Sequence, residues 1–433
     1  MHTMENKTDI AIIGGGIGGV MAALFLSRTL KFNRSRNLYN ITIYEKEHAI
    51  LKGASNELAR LHFGGEYPRD PSTAQDCVTG AILFSQIFPS SVYSAITGVD
   101  YLVSAKNDDK EELLEKLVHH YETFVKPVCT RFYAQLHNKA DFLFGDVATL
   151  FRKIEPVELT ENFFGGIHSN ELGFNSSALN TFLHAKIKEE EIDVKYSVAI
   201  TDAAKNGDTY ILTAKDVLTE KEQNISAGIV VNASWENCLA LNYKIKKEVP
   251  AIRGYWRALA IADISRCDGA NDSKFALIGK SGGMYSPVND KKAILYVPEY
   301  GCSFINDENN ECHLFSETNL IMKKPVISDS EIEERKQKIH EHISSLFPFL
   351  KNMIIVGLPV NPTFSKDDEL HKRAHIKTWE VGKNWFSVFP AKATFAVRAA
   401  IELIALMPSV SSEALKGFCI DTHPVVPAIF HLK

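Results

Sequence analysis

No Cys-x-x-Cys pair occurs in the 433 residues, which removes zinc knuckles and thioredoxin-type redox centres at the outset. The cysteines present, Cys77, Cys129, Cys238, Cys267, Cys302, Cys312 and Cys419, are odd in number and widely scattered. Reduced core thiols are therefore expected rather than a disulfide framework. Positive charge is not in excess: 48 Lys and Arg stand against 53 Asp and Glu, giving a formal net charge of −5 and a pI of about 6.3. A nucleic-acid partner, which needs a basic stripe, is not expected. The apolar run from Ile10 to Leu26 is broken by five glycines and is too short for a membrane span. The leading residues MHTMENKTD are polar and of mixed charge, unlike a secretory leader, so a cytoplasmic protein is expected. Internal repeats and low-complexity tracts are missing. Hydrophobic residues at 45% and charged residues at 23% exclude disordered and fibrous classes, and the length predicts two or three structural units.

What is present begins with a strand. Ile10-Ala11-Ile12-Ile13 is a continuous apolar run of the kind buried on both faces of a parallel sheet. Gly14-Gly15-Gly16-Ile17-Gly18-Gly19 follows, then Val20, Ala23, Leu24 and Leu26 at helical spacing. A polar stretch from Lys31 to Asn40 leads to a second strand, Ile41 to Tyr44, closed by Glu45. In this Gly-x-Gly-x-x-Gly arrangement Gly14 allows a tight turn, Gly16 lets the backbone approach a pyrophosphate, and Gly19 permits close helix–strand packing. The helix N-terminus would face the phosphates with free N–H groups. Glu45 would accept hydrogen bonds from the adenosine ribose and repel a 2′-phosphate. Strand, glycines, helix, strand and acid in this order predict a dinucleotide site, with Gly14, Gly16, Ile17, Gly18, Gly19, Glu45 and Lys46 as its contacts.

Residues 72–88 read as a helix and Gly98 to Ser104 as a strand. Asp108 to about His137 is amphipathic, and Pro127 is expected to kink or split it. A helix is expected over Asn180 to Glu191, and strands over Val194 to Ile200, Tyr210 to Ala214 and Ile229 to Val231. From Arg253 the pattern changes to longer, partly alternating strands joined by Gly/Asn/Asp turns: Arg253 to Ala262, Phe275 to Ile278 and Ala293 to Val297. That predicts a mostly antiparallel sheet. Ser330-Glu331-Ile332-Glu333 has the pattern of a capping box, opening a helix to about Phe347. Trp385 to Phe389 reads as a strand, followed by a tight turn and a helix from Ala393 to Met407.

The segment Gly53-Ala54-Ser55-Asn56-Glu57-Leu58-Ala59-Arg60-Leu61-His62-Phe63-Gly64-Gly65-Glu66-Tyr67-Pro68 resembles the D-amino-acid-oxidase superfamily of flavoproteins. That group includes glycerol-3-phosphate dehydrogenases, L-2-hydroxyglutarate dehydrogenases and sarcosine or glycine oxidases. The resemblance implies that Ala54, Ser55 and Asn56 reach the pyrophosphate and that Arg60, Leu61 and His62 pass the flavin ring. Arg60-Leu61-His62-x-Gly64-x-x-Tyr67 looks closer to the hydroxy-acid and glycerol-phosphate branch than to the glycine-oxidase branch. Phe164-Gly165-Gly166-Ile167-His168, running through Gly173-Phe174-Asn175, is similar to a further family segment. The strand near Val198 would then touch the adenine through its backbone. Val230-Val231-Asn232-Ala233-Ser234-Trp235 resembles the strand end that closes over the dinucleotide, with Ser234-Trp235 in place of the usual Ala-Gly. Phe389-Pro390-Ala391-Lys392-Ala393-Thr394-Phe395 resembles the last strand–turn–helix. Its N–H groups would stabilise negative charge at flavin N1/O2, with Lys392 adding positive charge. FAD is the implied cofactor. A second Gly-x-Gly-x-x-Gly, a Cys-x4-Cys pair and a C-terminal Gly-Asp element are missing, so electrons are expected from the substrate rather than from NAD(P)H.

The implied fold is α/β. A Rossmann-like FAD-binding domain over 1–90, 145–250 and 355–433 would interleave with a substrate domain over 91–144 and 251–354, built on a mixed or antiparallel sheet. Many substrates of the superfamily carry a carboxylate, for which an arginine fork is suited. Arg60 is one candidate; Arg253 is another, on the same strand face as Arg257. His62 is the candidate base or polarising group. Tyr285 and Tyr296 could hydrogen-bond a substrate or simply pack. His119, His120, His340 and His342 lie on helical faces without ligand geometry, and no metal is expected. The expected activity is FAD-dependent oxidation of the CH–NH bond of a small polar, carboxylate-bearing amine or amino acid, with hydride passing to flavin N5 and electrons onward to O2 or another acceptor. CH–OH oxidation of a 2-hydroxy acid or polyol phosphate, and flavin binding without turnover, stand as alternatives.

Overall fold

In the computed structural model, which describes residues 7–53, 55, 60–268, 273–277, 282–301, 313–321, 324–365, 376–390, 392–407, 410 and 428–432, the first apolar run forms β1 (Thr8–Ile13) and the glycine turn delivers the chain into α1 (Ile17–Phe32). β2 (Tyr39–Glu45) returns parallel to β1, pairing Thr8 with Tyr39. Next come β3 (Arg60–Leu61) and α2 (Pro71–Ile87). Asp70 caps α2 by accepting the Thr73 N–H at 3.1 Å, with proline at the first helical position. After β4 (Tyr93–Ser104) the amphipathic stretch splits, as Pro127 requires: α3 (Lys110–His120), a π-helical turn over Tyr121–Val125, then α4 (Lys126–Gln135). Proline has no N–H for the helical ladder, and the wider turn accommodates the loss.

β5 (Phe151–Lys153) and β6 (Phe163–Phe174) precede α5 (Ser176–Glu189). This helix begins before the expected Asn180 because Asn175 caps it, accepting the Ala178 N–H at 3.0 Å. The strand expected over Val194 to Ile200 is two, β7 (Asp193–Tyr196) and β8 (Val198–Asn206), parted by Ser197 at φ 55°. β9 (Thr209–Asp216), β10 (Glu222–Ala227), β11 (Ile229–Asn232) and α6 (Cys238–Ile245) follow. The run Arg253 to Ala262 also breaks, into β12 (Arg253–Ala258) and β13 (Ala260–Asp263), which join different sheets. Then come β14 (Ser273–Leu277), β15 (Gly283–Pro287), β16 (Lys292–Tyr296), α7 (Pro298–Gly301), β17 (His313–Leu314) and α8 (Asp329–Leu346). The cap of α8 is Ser328, accepting the Glu331 N–H at 3.2 Å, rather than the expected Ser330. β18 (Ile354–Gly357), β19 (Val360–Ser365), β20 (Trp379–Gly382), β21 (Trp385–Ser387) and α9 (Ala396–Leu406) complete the described elements used below.

One sheet runs β20-β21-β11-β1-β2-β7, parallel except for the edge strand β20. α1 and α9 pack together over one face. The β8-β9-β10 meander covers the other, closing a core of Ala11, Ile13, Ile200, Tyr210, Leu212 and Trp385. The second large sheet runs β18-β13-β16-β15-β14-β4-β6-β3, with β5 on β6, and is antiparallel except where β14 meets β4. A third, β17-β12-β19, stands beside it. β5 and β6, inside the 145–250 span expected in the FAD domain, hydrogen-bond into the second sheet. None of the described helices is long and apolar enough to cross a membrane.

The sheets are tied together at Trp235. Just after β11 this residue sits at φ 56°, a left-handed conformation costing a bulky side chain about 1–2 kcal/mol. Its indole stacks on Phe389 (centroids 4.8 Å, planes 26° apart), meets Phe364 of β19 edge-on at 4.8 Å, and donates to the Pro362 carbonyl at 3.1 Å. Trp235→Gly would relieve the strain and forfeit that packing. Trp235 is half-buried, so its truncation should cost less than the about 3–5 kcal/mol of a fully buried tryptophan, and a net loss of about 1–2 kcal/mol is expected in urea unfolding; a more stable variant would show that strain outweighs packing.

Candidate active site

A cleft opens at the carboxyl ends of β1, β2 and β11, where Gly14, Glu45 and Ala233 line it, the position at which open parallel sheets take ligands. Gly14 has φ 100°, and a Cβ on it would meet the Ala233 carbonyl oxygen at 2.6 Å. A Cβ on Gly19 would lie 2.0 Å from the Gly14 carbonyl oxygen. Both glycines are demanded by the protein itself. Gly16 differs: a Cβ there would meet only Ser55 Oγ, at 3.4 Å, so its bareness leaves room in the cleft.

Glu45 is 7% exposed; its two oxygens accept the Gly15 N–H at 2.5 Å and the Glu47 N–H at 2.8 Å. Burial pushes its carboxyl up, and these two donors oppose the shift. Lys46 is ion-paired to Glu236 across the cleft mouth. Burial disfavours that ammonium, but Glu236 outweighs it and the pKa rises. Ser55 Oγ accepts the Ile17 N–H at 3.1 Å, and Gly18 stands against Pro390. Val198 forms one wall, Ala233, Ser234 and Trp235 another, and Pro390, Lys392, Ala393 and Thr394 the far end. The Thr394 hydroxyl is buried there with no hydrogen-bond partner among the described residues. A glycine-lined helix start in the middle, a carboxylate at one end and an orphan hydroxyl at a helix start at the other fit FAD.

Three expected contacts do not reach the cleft surface. Gly19 packs on Gly14, and Leu61 is fully buried in the core. Asn232 is fully buried too; its amide donates to Asn242 Oδ1 at 2.8 Å and accepts the Ser234 hydroxyl at 2.6 Å, shaping the turn that Ser234 and Trp235 present. Ala54 and Asn56 lie outside the described residues.

Beyond Lys392 the cleft is lined by Arg60, His62, Glu66, Tyr67, Arg257 and Met284. Glu66 was not singled out in the sequence because it occupies an unspecified position of its motif. His62 Nε2 lies 3.1 Å from its Oε1 and 3.3 Å from Lys392 Nζ, while Lys392 also donates to the Tyr67 hydroxyl. Burial alone would raise the Glu66 carboxyl, but His62, Lys392, Arg60 and Arg257 hold it well below the usual carboxylate range. Arg60 is buried between the rings of Tyr101 and Phe275, at 5.7 and 5.6 Å. Its Nη1 and Nη2 stand 3.6 Å from Glu171 and 3.7 Å from Glu66, and its Nε has no partner among the described residues. Burial opposes the Arg60 charge, yet Tyr101, Glu66 and Glu171 hold its pKa above the ordinary value. Arg257 lies 4.0 Å over the Tyr296 ring, its Nε likewise without a partner.

Three expected catalytic residues, Tyr285, Arg253 and Tyr296, do not face the cleft. Tyr285 is fully buried against Phe347 and Phe349, with burial pushing its phenol to about 12. Strand alternation turns Met284 to the cleft and Tyr285 to α8. Arg253 does not line the cleft: it pairs with Ser365 at the start of β12, about 13 Å along the strand from Arg257 at ~3.3 Å per residue. Arg257 lines the cleft instead, and Tyr296 lies under its guanidinium rather than facing the cleft. Among the described residues no group of three or more His, Cys, Asp or Glu could hold a metal ion.

The contrast between the glycines gives a test. Gly16→Val should fold with near wild-type stability and fail to retain FAD, whereas Gly19→Ala should lose the fold; flavin absorbance and thermal melting of each purified variant decide it. A Gly16→Val protein with full flavin occupancy would contradict the cradle.

The fold is similar to that of known proteins. Glycine oxidase from Geobacillus kaustophilus superposes with a TM-score of 0.64 at 12% identity, covering 99% of each chain. L-amino acid deaminase from Proteus myxofaciens gives 0.60 at 14%, covering 95% of this chain and 93% of its own. L-alpha-glycerophosphate oxidase from Mycoplasma pneumoniae, a structure with FAD bound, gives 0.61 at 14%, covering 93% and 94%. These similarities concern the fold, and no curated protein matches the sequence. A family model, DAO, described as FAD dependent oxidoreductase, matches residues 9–357; spanning most of the chain, that match shows that the protein belongs to the DAO family of FAD-dependent oxidoreductases.

Proposed function

We propose that the protein oxidises the CH–NH bond of a small amine or amino acid that carries a carboxylate. The observation behind this reading is the pair of guanidinium groups at the cleft, Arg60 and Arg257, each with an Nε lacking a partner among the described residues. Arg60, Arg257 and Lys392 face a single lining carboxylate, Glu66, at this end. An arriving carboxylate would find charge-assisted donors there. The same surplus disfavours a substrate ammonium and so favours the neutral amine, whose lone pair assists loss of the neighbouring hydride. Bound FAD supplies the hydride acceptor. The six-stranded sheet would carry the cofactor, and the nine-stranded sheet with β12 the substrate. Arg257 would clamp the carboxylate, Tyr296 would hold Arg257, and His62 beside Glu66 would take the substrate proton. O2 or another acceptor would reoxidise the cofactor. Similarity to a glycine oxidase and an L-amino acid deaminase supports this assignment.

The 3.1 Å pairing of His62 with Glu66 favours a second reading, CH–OH oxidation of a 2-hydroxy acid or polyol phosphate, because an alcohol needs a base for its O–H proton. Turnover of amino acids against the matching 2-hydroxy acids separates the two: ammonia release accompanying oxidation supports the first, and oxidation of the hydroxy acid alone overturns it. With the accepted substrate, Arg257→Ala should keep its FAD and lose roughly 2–5 kcal/mol in kcat/KM, the range for truncating one partner of a buried charge pair. An unchanged kcat/KM would remove Arg257 from the site.

A further inference from the structure

Behind Arg60, away from the cleft, lies a buried carboxylate that the proposed chemistry does not use. Glu171 is 1% exposed. Tyr121 donates to its Oε1 at 2.6 Å, Tyr101 to its Oε2 at 2.9 Å and Oε1 at 3.0 Å, and Ser169 stands 3.4 Å from Oε1. A carboxylate with this many donors is close to saturated. Arg60, the nearby cation, is held no closer than 3.6 Å and hydrogen-bonds the Tyr101 hydroxyl only at 3.4 Å. The tyrosines come from separate elements. Tyr101 is on β4, fitted over Gly65, where a Cβ would meet its ring at 2.7 Å. Tyr121 opens the π-helical turn that follows α3. A π turn inside a helix re-aims side chains and is frequent at functional sites; here it aims a hydroxyl at Glu171, while His120 beside it bonds the Phe63 carbonyl at 2.7 Å.

We propose that Glu171, saturated by Tyr101 and Tyr121, is a positioning residue: it compensates the Arg60 charge without chelating it, so the guanidinium donors stay available to a substrate carboxylate. The inference rests on the reading that Arg60 meets such a carboxylate. With a donor removed, a Glu171 lone pair is freed, and the guanidinium is drawn the short distance onto it and away from the cleft. The tyrosines thus act against over-tight pairing, and the two substitutions have opposite signs. Tyr121→Phe alone should weaken carboxylate binding, whereas adding Glu171→Gln should restore it, because a neutral amide does not capture the guanidinium.

Acetate titrated into the FAD-loaded protein, with flavin absorbance as the readout, tests this without turnover. Wild type should show a saturable change that Arg60→Gln weakens. Tyr121→Phe should bind acetate on the order of tenfold more weakly, as expected for losing a hydrogen bond to a charged group, and Tyr121→Phe/Glu171→Gln should return towards wild type. If Tyr121→Phe does not fold, Tyr101→Phe removes the other donor and carries the same expectation. A purely structural role would make the double variant weaker still, and that result, or a donor-removing single variant that binds like wild type, overturns the inference alone. A wild-type protein indifferent to acetate overturns the carboxylate reading and the inference with it.

Discussion

The cofactor end depends on how closely α1 can approach β1. At Gly19 the helix comes so near the Gly14 carbonyl oxygen that a Cβ would sit 2.0 Å from it. That approach brings the helix start to the carboxyl edge of the sheet, where Ser55 Oγ takes the Ile17 N–H and the positive end of the helix faces the cleft, a position suited to an anion. Gly15 then donates to Glu45 on the neighbouring strand, and Ala233 donates its N–H to Ile13 at 2.9 Å. Loosening the approach would displace the loops after β1, β2 and β11 together.

The cation-lined end of the cleft is an electrostatic construction on a different sheet, reached by one short stretch of chain. β3 begins at Arg60 and pairs with β6, opposite Gly173, so the segment that lines the cleft also becomes the edge of the nine-stranded sheet. A buried guanidinium is expensive unless charge compensates it, and here Glu66 does so from the cleft side and Glu171 from the interior. Arg257 has aromatic support and no described acid of its own. The arrangement keeps cations in the cleft without neutralising them fully, a state suited to an anionic ligand.

The glycine-lined half of the cleft was legible in the sequence because its signals are local. An apolar run, three spaced glycines, helical periodicity and a closing acid lie within about forty residues, and each fixes its own backbone. The substrate half was not. Whether Met284 or Tyr285 faces the cleft depends on which face of β15 α8 covers, and two residues of opposite parity look alike until the covering helix is placed. Arg253 and Arg257 share a face, so only the position of the cleft along β12 separates them. Glu66 lacks any periodic signal; its role comes from cations contributed by Arg60, His62, Arg257 and Lys392. The breaks at Ser197 and Leu259 are set by the switch of the chain between sheets, which strand propensity does not register. Trp235 takes a left-handed backbone that composition would assign to glycine, held there by Phe389, Phe364 and Pro362.

The central claim is that the cation-rich pocket and the glycine cradle form one redox site. An anaerobic absorbance titration of the FAD-loaded protein with small amino and hydroxy acids, alongside the same compounds lacking the carboxylate, tests it most directly. The account predicts that one or more of the carboxylates bleaches the flavin and that its decarboxylated analogue does not. Bleaching by the decarboxylated analogues as readily as by the acids, or a flavin that none of the compounds reduces, would contradict it.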